Sequence, residues 1–138
     1  LDVKYHVLVP TGEEATTDFY QWGALLRAVS AFEVYRKTFR TGITPSRVAA
    51  LLTLHPSMPR SLLFCLRGAV RSLALVANDQ SGETQRRAGR LYSELRYARI
   101  EDILASGLHE FLSDFMDRVE DLCNGVSNDF LVTPQAAA

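Results

Sequence analysis

Residues 59–76, PRSLLFCLRGAVRSLALV, form the most apolar helical pattern in the chain. Proline is well tolerated at the first helical position, where its missing N–H would be unsatisfied in any case, so Pro59 is predicted to open a helix. The apolar residues of this helix include Leu62, Leu63, Leu66, Ala69, Val70, Leu73, Leu75 and Val76. A helix that is apolar on most sides belongs in the centre of a bundle. The segment therefore predicts an all-α fold built around this helix.

Amphipathic helical patterns precede this segment. One has an apolar face with residues three and four apart, namely Phe19, Trp22, Leu25, Leu26 and Val29. Ser30 and Glu33 have the spacing of a capping box, which predicts a new helix or a bend at Ser30. Thr44-Pro45 predicts the start of a short third helix.

Two more helical patterns follow residues 59–76. One runs from about Glu83 to Tyr97, and the last from about Ile100 to Phe130, where Ser106-Gly107 is expected to kink or divide it. No segment alternates apolar and polar residues as a strand does. The predicted fold is all-α, a mostly antiparallel bundle of about five to seven helices with a long C-terminal helix.

Length and composition narrow the class of protein. The 138 residues suit one domain, predicted over residues 1–132 with a frayed tail at 133–138. A formal charge of -1 argues against a nucleic-acid partner. No apolar run reaches the ~20 residues that span a bilayer, so a cytoplasmic protein is expected. Cys65 and Cys123 lie within apolar helical patterns and are predicted to be reduced core thiols.

The opening residues, Leu1 to Leu8, have helical spacing but no capping residue before them. We interpret this segment as a helix that continues from an earlier part of a longer protein. Asp2, Lys4, Tyr5 and His6 concentrate groups capable of acid–base chemistry. The alternative interpretation is a helix end at which His and Lys favour the helix dipole.

Two groups of arginines are further candidates. Arg60, Arg67 and Arg71 are predicted to share one side of the central helix, as an anion site or a docking surface for a carboxylate-bearing partner. The alternative, which we favour, is a solvent-facing edge paired with nearby acids. Arg96 and Tyr97 could form a ligand-stacking corner, or simply place a cation at a helix end.

The last helix carries an acidic stripe of Glu110, Asp114, Asp117 and Asp121. Since Mg²⁺ needs ligands from several directions, a solvated face or a partner surface for the arginines is the better interpretation. No phosphate-binding loop, nucleophile elbow or Cys/His pair occurs, and we predict no metal site and no cofactor.

Several stretches, taken in order, resemble the bacterial alpha-E family, a helical family of uncharacterised biochemistry named for a Glu-Arg motif. They are Leu1 to His6, Gln21-Trp22 with Leu25 to Arg27, Ser30 to Arg36, Met58 to Leu62, Ser81 to Leu91 and Glu94 to Tyr97. The resemblance covers the chain to about Val132 and corresponds to the C-terminal half of the family. It implies that the Glu-Arg motif lies before Leu1.

The resemblance also implies a cytosolic bacterial protein encoded beside ATP-grasp ligase-like and transglutaminase-like proteins. The leading hypothesis is therefore an accessory or interaction domain of a peptide-forming or peptide-modifying system. A second hypothesis is an enzyme of unknown reaction, in which Asp2 and His6 share a site with the Glu-Arg motif. A third is a structural module that forms a homo-oligomer through its last helix.

Overall fold

A computed structural model of the protein describes residue 1 and residues 15–131, with side chains at residue 1 and at residues 19–131. These residues form seven α-helices and no strand: α1 Ala15–Ala28, α2 Phe32–Thr38, α3 Pro45–Leu54, α4 Leu62–Leu75, α5 Gly82–Arg96, α6 Ile100–Ser106 and α7 Leu108–Val126. A π-helical turn, Ser127–Leu131, extends α7. The predicted all-α class and the long C-terminal helix are confirmed. The predicted tail at 133–138 lies outside the described residues.

The start of α4 differs from the prediction. Ser61, rather than Pro59, sets the first turn, because its Oγ accepts a hydrogen bond from the Phe64 N–H at 3.1 Å. The same hydroxyl donates to the His55 carbonyl at 2.6 Å. A serine N-cap of this kind satisfies one of the free amides of the first turn. It also fixes the linker that crosses from α3 to α4.

The capping box predicted at Ser30 and Glu33 does not form. Ser30 has a φ of 55°, and α2 begins at Phe32 with no side-chain cap. The Ser30 N–H donates to the Arg27 carbonyl at 3.0 Å and the Ala31 N–H to the Leu26 carbonyl at 2.7 Å. This pair of bonds is a Schellman motif, which requires a left-handed residue after the helix. Ser30 therefore ends α1 instead of starting α2.

Gly107 divides the last helical segment, as expected. Its φ of 108° lies in a region that L side chains rarely adopt. The chain changes direction there, and α6 and α7 pack against each other on either side of it. Thr44 and Pro45 open α3 as predicted, with the Thr44 hydroxyl accepting from the Arg47 N–H at 3.4 Å.

Three apolar clusters hold the described helices together. The first joins α1, α2 and α3 around the fully buried Trp22, Leu26 and Tyr35. The second joins α4, α5 and α7 around Leu63, Leu66, Leu91 and Leu95. The third joins α3, α6 and α7 through Ala49, Ile103 and Leu108. Helix α3 contributes buried residues to both the first and the third cluster and therefore links them.

The prediction that α4 lies in the centre of the bundle is wrong for its second half. Only Leu63 and Leu66 are buried along this helix, whereas Leu75 is 87% exposed and Val76, just past its end, is 56% exposed. The physical reason is that Leu75 and Val76 belong to none of the three apolar clusters of the described residues. Cys65 and Cys123 are unpaired but exposed, so the expectation that they are core thiols is also wrong.

Candidate functional site

Two of the three arginines that were predicted to share one side of the central helix lie on that helix. Arg67 and Arg71 lie one turn apart on α4, but Arg60 lies in the turn before Ser61 and is not on the helix. The Arg67 guanidinium lies 5.2 Å from the centre of the Phe64 ring. No acidic side chain within residues 19–131 pairs with any of the three. The pairing that we favoured from the sequence is therefore not found among the described residues.

The Arg96–Tyr97 corner is present at the end of α5. The Arg96 guanidinium lies 5.5 Å from the centre of the Tyr97 ring, and Tyr97 is 76% exposed. An exposed cation–π pair of this kind stabilises a fold by about 0.5–1 kcal/mol. Both groups remain accessible to a partner. The candidates Asp2, Lys4, Tyr5 and His6 lie outside the described residues.

An ion-pair network beside the acidic stripe of α7 joins α7 to α5 through Arg118 and Glu94. Arg118 Nη1 lies 2.6 Å from Glu94 Oε2 and 3.6 Å from Asp114 Oδ2. Arg90 Nε lies 3.0 Å from the other oxygen of Glu94. The hydrogen bond from Arg118 has the largest effect on the pKa of Glu94 and lowers it. Partial burial opposes this shift, and the hydrogen bond from Arg90 adds to it. This network is a structural link between helices.

The most prominent surface feature is an apolar groove between α4 and α7. Both helices pack against α5, but their own backbones do not pack along each other. The resulting space has a volume of about 490 Å³. Leu66, Ala69 and Leu73 form its α4 wall, Val119, Leu122, Cys123 and Val126 form its α7 wall, and Ala88 of α5 forms its floor.

A second apolar depression continues this groove toward the start of α7. It has a volume of about 590 Å³ and is lined chiefly by Leu1, Leu62, Leu112, Phe115 and Met116. Val119 lines both spaces, so the apolar surface is continuous along α7. We refer to the two together as the α4–α7 groove. Met116 is 69% exposed beside it.

The groove exists because the apolar face of α7 is wider than the surface that its neighbours cover. Phe111, Phe115 and Leu122 pack against the cluster formed by α4 and α5. Met116 and Cys123 extend the same face to one side, and both are exposed. The expectations from the sequence place Cys123 in the core and do not include Met116. Their spacing of seven, parallel to that of Phe115 and Leu122, was the available signal.

The two rims of the groove differ in character. On the α7 side, the exposed carboxylates Asp117 and Glu120 border it. On the α4 side, the border is formed by the small side chains Ala69 and Ser72. Small residues allow a close approach of another backbone, and carboxylates attract cations. The groove is therefore shaped for an apolar surface that carries positive charge along one edge.

Neither a metal centre nor a membrane span is found in the described part of the chain. Within it, no three His, Cys, Asp or Glu side chains come together as metal ligands would. None of its helices is long and apolar enough to cross a bilayer.

These features define an all-α domain with an open apolar groove between two of its helices. Residues 1–131 match the model of the Alpha-E family, described as a predicted alpha-helical domain with a conserved ER motif, and the chain belongs to that family. No Glu in the sequence is followed directly by Arg. Neither a curated protein nor a solved structure shows a significant match to the chain.

Proposed function

We propose that this protein is an interaction domain that receives a helix of a partner protein in the α4–α7 groove. The observation that carries the proposal is the continuity of the apolar surface along α7 and its position opposite α4. Contiguous apolar patches that are rimmed by polar residues are typical of interaction sites. Helices α4, α5 and α7 form three sides of a bundle, and a fourth helix would complete it.

The chemistry of the groove specifies the helix that it would take. An amphipathic helix that presents apolar residues at every third or fourth position would cover Leu73, Val119 and Met116. Lys or Arg along the edge that faces α7 would pair with Asp117 and Glu120. Small residues along the other edge would fit closely against Ala69 and Ser72. We expect this arrangement of charge to set the direction in which the helix binds.

We further propose that the partner is an ATP-grasp ligase-like protein, with a transglutaminase-like protein as the alternative, in the cytoplasm of a bacterium. The family resemblance supports this part of the proposal. Arg60, Arg67, Arg71 and the Arg96–Tyr97 corner stay candidates for secondary contacts, as do Asp2, Lys4, Tyr5 and His6. In an accessory role, this domain would bind the partner, and the partner would carry the catalytic residues.

The proposal is tested by calorimetric titration of the full chain with a purified ATP-grasp ligase-like protein from the same genome. Met116→Asp places a charge beside the groove at an exposed position and should weaken binding at least about tenfold, as burial of an unpaired charge implies. Asn124→Asp adds the same charge to an exposed position of α7 outside both depressions. Equal affinity of the two variants would refute the groove as the contact surface.

A second pair of variants tests the acidic rim. Glu120→Lys should weaken binding and reduce its dependence on salt, because it removes the partner of a cation on the bound helix. Asp121→Lys is the matched control, since Asp121 faces the α5 side of the same helix. No binding by the wild-type chain would reject the ATP-grasp partner, and the same titration with a transglutaminase-like protein would then decide the alternative. Light scattering that showed a dimer dissociated by Met116→Asp would instead assign the groove to a second copy.

A further inference from the structure

The segment from Phe19 to Asn78 is strongly basic, although the chain as a whole is nearly neutral. Its only acidic residue is Glu33, and its basic residues are Arg27, Arg36, Lys37, Arg40, Arg47, Arg60, Arg67 and Arg71. None of these cations forms an ion pair with a described carboxylate. In contrast, Arg86, Arg87, Arg90 and Arg118 in the later helices are all paired. The charge of the segment from Phe19 to Asn78 is therefore not paired with any carboxylate of the described residues.

Two of these arginines border a groove rich in aromatic side chains. The groove lies among α1, α2 and the loop that follows α2, and its volume is about 450 Å³. Phe19, Phe32, Tyr35 and Phe39 supply aromatic surface, and Arg36 and Arg40 are the charged residues that line it. Phe19 is 47% exposed, which leaves its ring accessible. The site is separate from the α4–α7 groove and shares no residue with it.

The loop that forms one wall of this groove is held in place from within. Tyr35 is buried, and its hydroxyl donates to the Gly42 carbonyl and accepts from the Thr44 N–H, each at 3.1 Å. The rings of Tyr35 and Phe39 lie 4.9 Å apart. The buried tyrosine therefore holds in place both the loop and the neighbouring ring that line the groove.

Arg47 holds the same loop from the outside. Its guanidinium donates to the Thr41 hydroxyl and to the Gly42 carbonyl, the latter at 3.4 Å, and lies 5.8 Å from the centre of the Phe39 ring. Arg36 and Arg40, by contrast, make no hydrogen bond to another described residue. Two guanidinium groups that have no hydrogen-bond partner among the described residues therefore lie beside this aromatic wall.

The helix dipole accounts for only part of this arrangement. Arg36 and Lys37 lie in the last turn of α2, where a cation contributes about 0.3–1 kcal/mol. Arg40 lies beyond the end of the helix, and its charge adds to the repulsion among the three cations. A guanidinium fork with unused donors matches the oxygens of a carboxylate or a phosphate. An apolar body next to that oxyanion would contact Phe19, Phe32 and Phe39.

We propose that this groove binds a small organic oxyanion, a carboxylate or phosphate carried on an aromatic or apolar body. Arg36 and Arg40 receive the oxyanion, and the phenylalanine rings cover the body. Tyr35 and Arg47 act as positioning residues that hold the loop. The site is independent of the helix-docking groove, so the two proposals can fail separately.

The test is an NMR titration of the full chain, with phenyl phosphate and phenylacetate as probes. Saturable shifts at the amides of residues 36–44 are expected with at least one probe, and the comparison tells which oxyanion is preferred. Arg36→Gln with Arg40→Gln should weaken binding about tenfold or more, as the loss of charge-assisted hydrogen bonds implies. Both side chains are exposed, so the fold should be retained, and a thermal melt checks this.

The matched control is Arg60→Gln with Arg71→Gln, which removes the same charge from exposed positions outside this groove. An equal loss of affinity in the control would show that general electrostatic attraction, and not a site, binds the probe. Absence of saturation, or shifts spread over the whole basic segment, would overturn the proposal. Inorganic phosphate that bound as tightly as phenyl phosphate would overturn the role of the aromatic rings.

Discussion

Replacing Gly125 with alanine should destabilise the protein, although alanine favours a helix. Gly125 lies in α7, where alanine in place of glycine contributes about 0.8–1 kcal/mol in helix propensity. A Cβ at this position would lie 2.6 Å from Thr84 Oγ1 and 3.3 Å from Thr84 Cγ2, so the side chain of Thr84 would have to move. Thr84 is buried, and its hydroxyl donates to Asp129 Oδ2 at 2.6 Å.

The magnitude follows from what the movement would break. A hydrogen bond to a charged group is worth about 1.5–3 kcal/mol, and an overfilled contact costs about 1–3 kcal/mol. Allowing for relaxation and for the gain in propensity, we expect Gly125→Ala to lower the free energy of unfolding by about 1–2 kcal/mol. A β-branched threonine offers few alternative rotamers that would reduce this cost.

Urea denaturation followed by circular dichroism measures the effect. Gly89→Ala is the matched control, because Gly89 lies within α5 and a Cβ there meets nothing within 4 Å. That variant should gain about 0.5–1 kcal/mol from propensity. If Gly125→Ala were as stabilising as Gly89→Ala, the close approach of α5 and α7 at Thr84 would not be present in solution, and the reasoning would be refuted.

Three further substitutions test other parts of the fold. Tyr35→Phe should lower the free energy of unfolding by about 1–2 kcal/mol, since the Gly42 carbonyl and the Thr44 N–H both lose a partner. The control Tyr97→Phe, at an exposed ring, should change it by no more than about 0.5 kcal/mol. Chemical denaturation compares the two variants, and equal effects would contradict the buried role of Tyr35. Ser61→Ala should cost about 1–2 kcal/mol and loosen the start of α4, which amide exchange at Phe64 would report; unchanged exchange would exclude the cap. Glu94→Gln should remove a stabilisation of at most about 1 kcal/mol, because both partners of the pair with Arg118 are partly exposed. Since the pKa of Glu94 is lowered in the folded state, this stabilisation is present at neutral pH and is lost as the pH falls below roughly 4. The unfolding free energies of wild type and variant should therefore converge in acid, and a difference that persisted there would reject the ion pair as its source.

The fold class was predictable from the sequence because helical periodicity is a local property. The buried Trp22, the start of α3 at Thr44-Pro45 and the division at Gly107 all depend on neighbouring residues, and the structure confirms them. The end of α1 was not predictable in the same way. Ser30 fits two local motifs, and the backbone bonds to Leu26 and Arg27 decide between them.

The candidate sites were harder to predict because they depend on which faces of the helices pack together. Periodicity showed that α4 is apolar on most sides, but not that Leu75 would face solvent. The sequence shows how many arginines lie between Phe19 and Asn78, but not which side chains surround them. The rings that border Arg36 and Arg40 come together only when α1 and α2 fold back on each other at Ser30. Long-range placement of this kind leaves no signature in local sequence.

The central claim, that the α4–α7 groove binds a partner helix, is tested most directly by hydrogen–deuterium exchange. The full chain would be measured alone and with a saturating amount of the ATP-grasp ligase-like protein. We predict slower exchange along residues 66–75 and 112–127, with α1 and α2 unchanged. Binding with protection confined to α1 to α3, and none along α7, would contradict the account.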